Sequence, residues 1–198
     1  MNTPLRHTFR TLAAVLVVML GCISIVSAKT SPAPGEKEKI VMPMIISSPA
    51  FKRDGVIPAR HTCDGLNISP VLKWTGMPAG TKSLALIVDD PDAPDPVAPK
   101  MTWVHWVVYN IPPNTSGLPE SISAEGLPPG TLQGLNDWKY AGYQGPCPPV
   151  GKHRYFFKLY ALNAMLPDLK YPTKAALEKA MQGRVLAQSR LVGLYERQ

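Results

Sequence analysis

The sequence predicts one mainly β domain, an antiparallel β-sandwich with a short helical element near its C-terminus. Strand-like segments are short and separated by turn signals, and the 22 prolines are spread along the 198 residues. Prolines distributed in this way are typical of many turns between strands, not of a disordered proline-rich tail. The composition, 45% hydrophobic and 18% charged, is that of an ordinary globular domain.

Five segments have strand character. Residues 84–89 begin with a continuous apolar run, which is expected where both faces of a strand are covered. In residues 154–162, apolar positions alternate with positions that include Lys158, and this alternation predicts one buried face and one outer face. The predicted strands are residues 44–48, 71–74, 84–89, 104–111 and 154–162.

One helix is predicted near the C-terminus. Thr173 is a good N-cap, residues 175–181 are strong helix formers, and Gly183 is placed to end the helix. The pattern allows one or two further helical turns over residues 185–189 and a closing strand over residues 190–195.

The first 28 residues are predicted to be an export signal. Arg6 and Arg10 supply a basic start, residues 12–26 supply an apolar core, and Ala28 ends a small-residue cleavage motif. We expect cleavage after Ala28 and a periplasmic or secreted mature protein.

Two alternatives for this segment stay open. The uncharged stretch over residues 11–28 reaches the lower limit for spanning a bilayer, so the protein would instead be membrane-anchored at its N-terminus. A lipid on Cys22 is the other alternative, although Met19 and Leu20 fit a lipobox poorly. Membrane contact is therefore left open.

Residues 29–41 are rich in Pro, Ser, Gly and charge, which is typical of a flexible linker. The globular domain is therefore placed at residues 42–198. The formal net charge of +7 is too diffuse along the chain to indicate nucleic-acid binding, and no nucleic-acid partner is expected.

Cys63 and Cys147 are predicted to form a disulfide. Each lies in a turn, and removal of Cys22 with the signal would leave an even pair in an oxidising compartment. The alternative is a cysteine nucleophile activated by His61 or His153.

A loop rich in glycine and proline, residues 140–152, delivers His153 to the start of a predicted strand. Glycines let backbone amides approach a ligand closely, and prolines hold a loop in one shape. Tyr155 lies two residues further on the same strand face, so a phenol and an imidazole can both donate to one anion. Core packing is the alternative role for Tyr155.

Asp90 and His105 have structural as well as functional interpretations. Asp90 ends an apolar run just before a proline, where it serves either as a pocket carboxylate or as a turn former. His105 lies mid-strand between apolar residues, where a satisfied core histidine is the commoner case. Asp90, His105 and His153 are residue types that can bind a metal ion. No two of them have the close spacing along the chain that is typical of metal ligands, so a metal site is weakly supported. No cofactor is expected.

Three motifs, which follow one another along the chain, are more informative about function than the composition. They are Asp90-Pro-Asp-Ala-Pro94, Trp103-Val-His-Trp-Val-Val-Tyr-Asn110, and Gly145-Pro146 followed by His153-Arg-Tyr155. Together they resemble the phosphatidylethanolamine-binding protein family, also called Raf kinase inhibitor-like proteins, and most of all its bacterial branch. The resemblance extends over residues 44–195. It implies a β-sandwich with a large antiparallel sheet and a small pocket for phosphate, phosphoryl headgroups or similar anions.

The resemblance also implies roles for six residues. Asp90 is the pocket carboxylate, and His105 and His153 are the two pocket histidines. Gly145 and Pro146 belong to the pocket loop, and Tyr155 is the aromatic residue after the second histidine. The chain departs from the animal pattern over residues 95–102, in its two loop cysteines and in its shorter ending over residues 184–198. These departures leave lipid specificity and any kinase-regulating role open.

The function expected from these observations is that of a non-enzymatic exported protein that binds a small anion or a phosphorylated headgroup. The usual enzyme signatures, such as a Gly-x-Ser-x-Gly elbow or a phosphate-binding loop, are absent from the sequence. The alternative is an interaction module whose protein partner is a kinase that it regulates or a protease that it inhibits. A hydrolase with His153 as the base is the least favoured alternative.

Protein recovered from its native export route is expected to begin at Lys29, because the cleavage motif ends at Ala28. Intact-mass spectrometry checks this start. A chain that retains residues 1–28, or that carries a lipid on Cys22, would contradict cleavage at this position.

Overall fold

The computed structural model describes residues 42–197 of the chain. Within this range the chain forms β-strands, one α-helix and a short 3-10 turn at Ala59–His61. The strands are β1 Ile45–Ser47, β2 Gly55–Val56, β3 Leu72–Thr75, β4 Ser83–Asp90, β5 Trp103–Ile111, β6 Gly117–Leu118, β7 Leu132–Gln133, β8 His153–Leu162 and β9 Val185–Tyr195, and the helix is α1 Lys174–Met181. The predicted export signal and linker, residues 1–41, lie outside the described residues.

The strands form two sheets. The larger has six strands in the order β2-β9-β8-β4-β5-β7, and the smaller has three in the order β1-β3-β6. All pairs are antiparallel except β2 with β9. The two sheets pack face to face, which confirms the predicted antiparallel β-sandwich.

The main hydrophobic core lies between the two sheets. Ile46 and Trp74 of the smaller sheet pack against Leu86, Trp106 and Phe157 of the larger sheet, and all five are buried. Successive strand residues point to opposite faces, so every second residue of β8 enters this core. The alternation predicted for β8 is thereby confirmed.

A second apolar cluster covers the other face of the larger sheet. Leu177 and Met181 of α1 pack over Ala85 and Ile87 of β4 and Val107 of β5. Because β4 is covered on both faces, all of its eight residues are buried. This two-sided burial explains why the strand has a continuous apolar run.

The helix begins and ends as predicted, but the segment after it does not. The Thr173 side chain accepts a hydrogen bond from the Ala176 N–H at 3.3 Å, and Gly183 follows the helix with φ +70°. The further helical turn over residues 185–189 was wrong. Those residues belong to β9, which pairs with β8 along its whole length, so their backbone groups are satisfied by a ladder and not by a helix.

No helix within residues 42–197 has the length and apolar character needed to cross a membrane.

The predicted disulfide is present. Cys63 and Cys147 are bonded; they are 84 positions apart in sequence, and their Cα atoms are 5.4 Å apart. The Cys63 N–H also donates to the Pro146 carbonyl at 3.0 Å. The bridge ties the turn after residues 59–61 to the loop before β8. It also occupies both thiols, so neither cysteine is a nucleophile in this form.

Replacing both Cys63 and Cys147 with alanine should lower the free energy of unfolding by about 4 kcal/mol, because the bridge closes a long loop in the unfolded chain. Urea unfolding of the wild type and the double variant measures the difference. Equal midpoints with equal slopes would show that the bridge adds no stability.

Candidate functional site

A cavity of about 390 Å³ opens at one end of the larger sheet. Strand β4 runs antiparallel to both of its neighbours, so its last residue lies beside the first residues of β5 and β8. This topology brings together Asp90, His105, His153 and Tyr155, all of which line the cavity. The three sequence motifs therefore converge on one place.

Apolar side chains form most of the wall. The Trp138 ring lies edge-on to Trp103, with centroids 5.3 Å apart, and to His105 at 5.1 Å. Trp138 had no signal in the sequence, because it comes from an irregular loop that reaches the site only in the folded chain. The remaining lining residues are Ala93, Pro94, Met101, Cys147, Pro148 and Pro149.

Asp90 and His153 form a buried ion pair. The His153 Nδ1 atom lies 2.7 Å from Asp90 Oδ2, and its Nε2 atom lies 3.0 Å from the Val150 carbonyl oxygen. Both ring nitrogens face oxygen acceptors, which is the arrangement that suits a doubly protonated imidazolium. Neither nitrogen is left for a ligand.

Asp90 is a turn former and a site residue at once. Its second oxygen, Oδ1, accepts from the Asp92 N–H at 2.8 Å, which closes the turn after β4. Asp92 in turn forms a bidentate pair with Arg154. Hydrogen bonds from Arg154 hold the pKa of the Asp92 carboxyl below its ordinary value. Both oxygens of Asp90 are thus occupied by protein donors.

His105 has one occupied nitrogen and one open nitrogen. Its Nδ1 atom lies 2.7 Å from the Gln144 carbonyl oxygen, and Nε2 makes no hydrogen bond within residues 42–197. Burial lowers the pKa of this imidazole below its ordinary value, although the negative charge of Asp90 acts in the opposite direction. In the neutral ring Nδ1 donates to the carbonyl, so Nε2 presents a lone pair to the cavity.

The Tyr155 hydroxyl makes no well-aligned hydrogen bond within residues 42–197, although the side chain is only 1% exposed and the Asp90 carboxylate lies close enough to interact with it. Its ring lies edge-on to His105, with centroids 5.2 Å apart, and stacks near His153 at 6.4 Å. Burial, reinforced by the charge of Asp90, raises the pKa of this phenol well above its ordinary value. The hydroxyl therefore keeps its proton and can donate it.

Gly145 and Pro146 do not line the cavity. A Cβ atom on Gly145 would lie 2.2 Å from the His61 carbonyl oxygen, and the Gly145 N–H donates to Asn67 Oδ1 at 2.7 Å. The glycine thus allows close contact with the neighbouring chain segment, not with a ligand. These two residues position the loop whose next member, Cys147, does reach the cavity.

Charge is nearly balanced inside the cavity. Among its described lining residues there is no lysine or arginine, and Asp90 is compensated by His153. No group of three His, Cys, Asp or Glu side chains within residues 42–197 is arranged to hold a metal ion. The polar side-chain groups on the described lining residues include the Tyr155 hydroxyl, His105 Nε2 and the indole N–H groups of Trp103 and Trp138.

The fold and this cavity define a β-sandwich binding protein, and comparison with known proteins places it in a family. Residues 47–196 match the family model described as phosphatidylethanolamine-binding protein. The chain belongs to this family, as its motifs predicted.

Individual relatives agree with this assignment. A UPF0098 protein of Methanothermobacter thermautotrophicus is 52% identical over 155 residues, covering 78% of this chain and 99% of the relative. Two solved structures are also similar. The PEBP homolog CT736 from Chlamydia trachomatis has a TM-score of 0.71 at 42% identity, covering 79% of this chain and 99% of its own. Escherichia coli YbcL has a TM-score of 0.72 at 34% identity, covering 79% of this chain and 100% of its own.

Asp90→Asn is expected to lower the pKa of His105 further below its ordinary value, because the variant removes the carboxylate that favours the imidazolium. The pH dependence of the imidazole proton signals in NMR spectra measures the change. Asp95→Asn is the matched control, because Asp95 closes the same kind of turn by accepting from the Val97 N–H. An unchanged His105 titration in Asp90→Asn would remove Asp90 from the electrostatics of the site.

Proposed function

We propose that this protein binds a small anion or a phosphorylated headgroup in the cavity at the end of β4, without catalysing a reaction. The observation that carries the proposal is the buried Tyr155 hydroxyl, which lies on a cavity-lining residue beside Asp90 and makes no well-aligned hydrogen bond within residues 42–197. A buried hydroxyl without a hydrogen bond costs free energy, so this position favours a ligand atom that accepts one.

The surroundings of the hydroxyl support such a ligand. A volume of about 390 Å³ is in the range of small-molecule sites, and the apolar walls strengthen a hydrogen bond made inside them. His105 offers a second polar contact beside Tyr155. The buried pair of Asp90 and His153 holds the two sides of the site together and adds little net charge.

A binding role is supported over hydrolysis by the bonding of His153. A general base needs a ring nitrogen that can reach the proton it removes. Both nitrogens of His153 face acceptors of the protein itself. The imidazole is therefore suited to a structural charge and not to proton abstraction.

We also place this activity outside the cytoplasm, in the periplasm or the medium. The proposal is supported by the bond between Cys63 and Cys147, because disulfides persist mainly in oxidising compartments. It agrees with the export signal predicted for residues 1–28.

Tyr155→Phe should weaken the binding of inorganic phosphate by about tenfold or more, because it removes a hydrogen bond to a charged ligand and little else. Isothermal titration calorimetry measures the affinity. Tyr160→Phe is the control, since Tyr160 lies on the opposite face of the same strand. Wild-type protein that takes up no phosphate or phosphorylated headgroup would refute the proposed function.

A further inference from the structure

A groove of about 370 Å³ lies on the outer face of the larger sheet, on strands β8 and β9. We infer that this groove is a second ligand site, which holds the phosphate group of a phosphorylated sugar or a similar polyol phosphate. The second site is separate from the cavity at the end of β4, because its residues lie on the opposite face of β8.

Strand alternation places the groove. Phe157 and Leu159 of β8 pack in the core between the two sheets, so Lys158 and Tyr160 face the other side. Helix α1 covers that side over β4 and β5, and Tyr160 lies at the border of the covered cluster. All of the lining residues are polar or amphipathic: Lys158, Tyr160, Gln188, Ser189 and Arg190. Such a lining is unsuited to an acyl chain.

Two cations stand opposite each other in the groove. Lys158 is the register partner of Arg190, which places their Cβ atoms about 5 Å apart. Both also lie over the Phe156 ring, with Lys158 Nζ 5.5 Å and Arg190 Cζ 5.7 Å from its centroid. The ring attracts both cations, although like charges directly opposite repel. An anion between them would relieve this repulsion and accept charge-assisted hydrogen bonds from both.

The positive charge of the groove is only partly compensated. Three cations and three carboxylates on this side form ion pairs with one another: Arg154, Lys158, Lys174, Asp89, Asp92 and Glu178. Arg190 forms no ion pair within residues 42–197, and neither does Arg53, whose guanidinium donates to the Arg190 carbonyl oxygen at 2.7 Å. Two guanidinium groups therefore remain for a ligand, and a phosphate dianion complements two positive charges better than a monoanion does.

Gln188 adds a neutral polar contact beside the cations. It is the register partner of Tyr160, and its exposed amide makes no hydrogen bond within the described part of the chain. An amide both donates and accepts, as a sugar hydroxyl does, so the two are complementary. Ser189 directs its Oγ to the smaller sheet, where it accepts from the Ile46 N–H at 3.2 Å. The aromatic ring of Tyr160 bounds the groove on this side.

The test follows the binding of glucose 6-phosphate to the isotope-labelled protein by NMR near pH 8, where a phosphomonoester with a pKa of about 6 is a dianion. Amide signals of residues 158, 160, 188 and 190 report on the groove, and those of residues 105 and 155 report on the cavity. Glucose 6-phosphate should shift the groove signals with one saturable dissociation constant. Glucose, which has no charge, should not shift them, and inorganic phosphate, which has no polyol, should bind there about threefold more weakly.

Arg190→Gln should weaken binding in the groove by at least about tenfold, because it removes charge-assisted hydrogen bonds. Lys73→Gln is the matched control, since it removes a positive charge from an exposed position on the smaller sheet, and it should leave the affinity unchanged. Gln188→Ala should weaken the binding of glucose 6-phosphate about threefold and leave that of inorganic phosphate unchanged. Arg190 and Gln188 are exposed, so both variants are expected to fold.

The site-resolved signals separate the second site from the function proposed for the cavity. Unchanged groove affinity in Arg190→Gln, or equal binding of glucose, would overturn the second site. Signals that move only around residues 105 and 155 would overturn it too and would leave the function of the cavity standing. Movement of the groove signals alone would support the second site and count against the cavity. Binding of heparin without binding of glucose 6-phosphate would assign this face to long polyanions and overturn the small-ligand site.

Discussion

The buried ion pair between Asp90 and His153 is the interaction on which the rest of the site depends. It joins the end of β4 to the start of β8, and each partner makes a second bond that holds a loop, to Asp92 on one side and Val150 on the other. Removing one member of such a pair would leave an uncompensated buried charge, at a cost of about 3–5 kcal/mol in comparable cases. The pair therefore helps to hold the end of β4 and the start of β8 in place beside the cavity.

Backbone carbonyls give the two histidines different roles. The Val150 carbonyl contacts Nε2 of His153, so both nitrogens of that ring have protein partners. The Gln144 carbonyl contacts Nδ1 of His105, so Nε2 of that ring faces the cavity. Both carbonyls belong to the loop before β8. Close packing at Gly145 and the disulfide between Cys63 and Cys147 hold this loop against the turn that follows residues 59–61. Loop packing outside the cavity thus decides which polar atoms face the ligand.

Neighbouring aspartates on β4 show how the sheet separates functions. Asp90 belongs to the cavity, while Asp89 points to the opposite face and binds Lys158 and Lys174. Strand alternation predicts this separation from the sequence. The two-residue strands β2, β6 and β7 could not be predicted, because a partner strand and not a local pattern defines them.

Local sequence patterns are sufficient to predict the alternation of β8, the buried run of β4, the cap of α1 at Thr173 and the motifs that meet in the cavity. These features are local, since propensity and periodicity act over a few residues. Three properties became visible only in the folded chain. Both ring nitrogens of His153 have protein partners, only Nδ1 of His105 has one, and Trp138 forms part of the cavity wall. Those properties depend on partners 63 positions away for His153 and 39 for His105. No local pattern specifies a contact made across such a separation, because only packing of the whole sheet brings the atoms together.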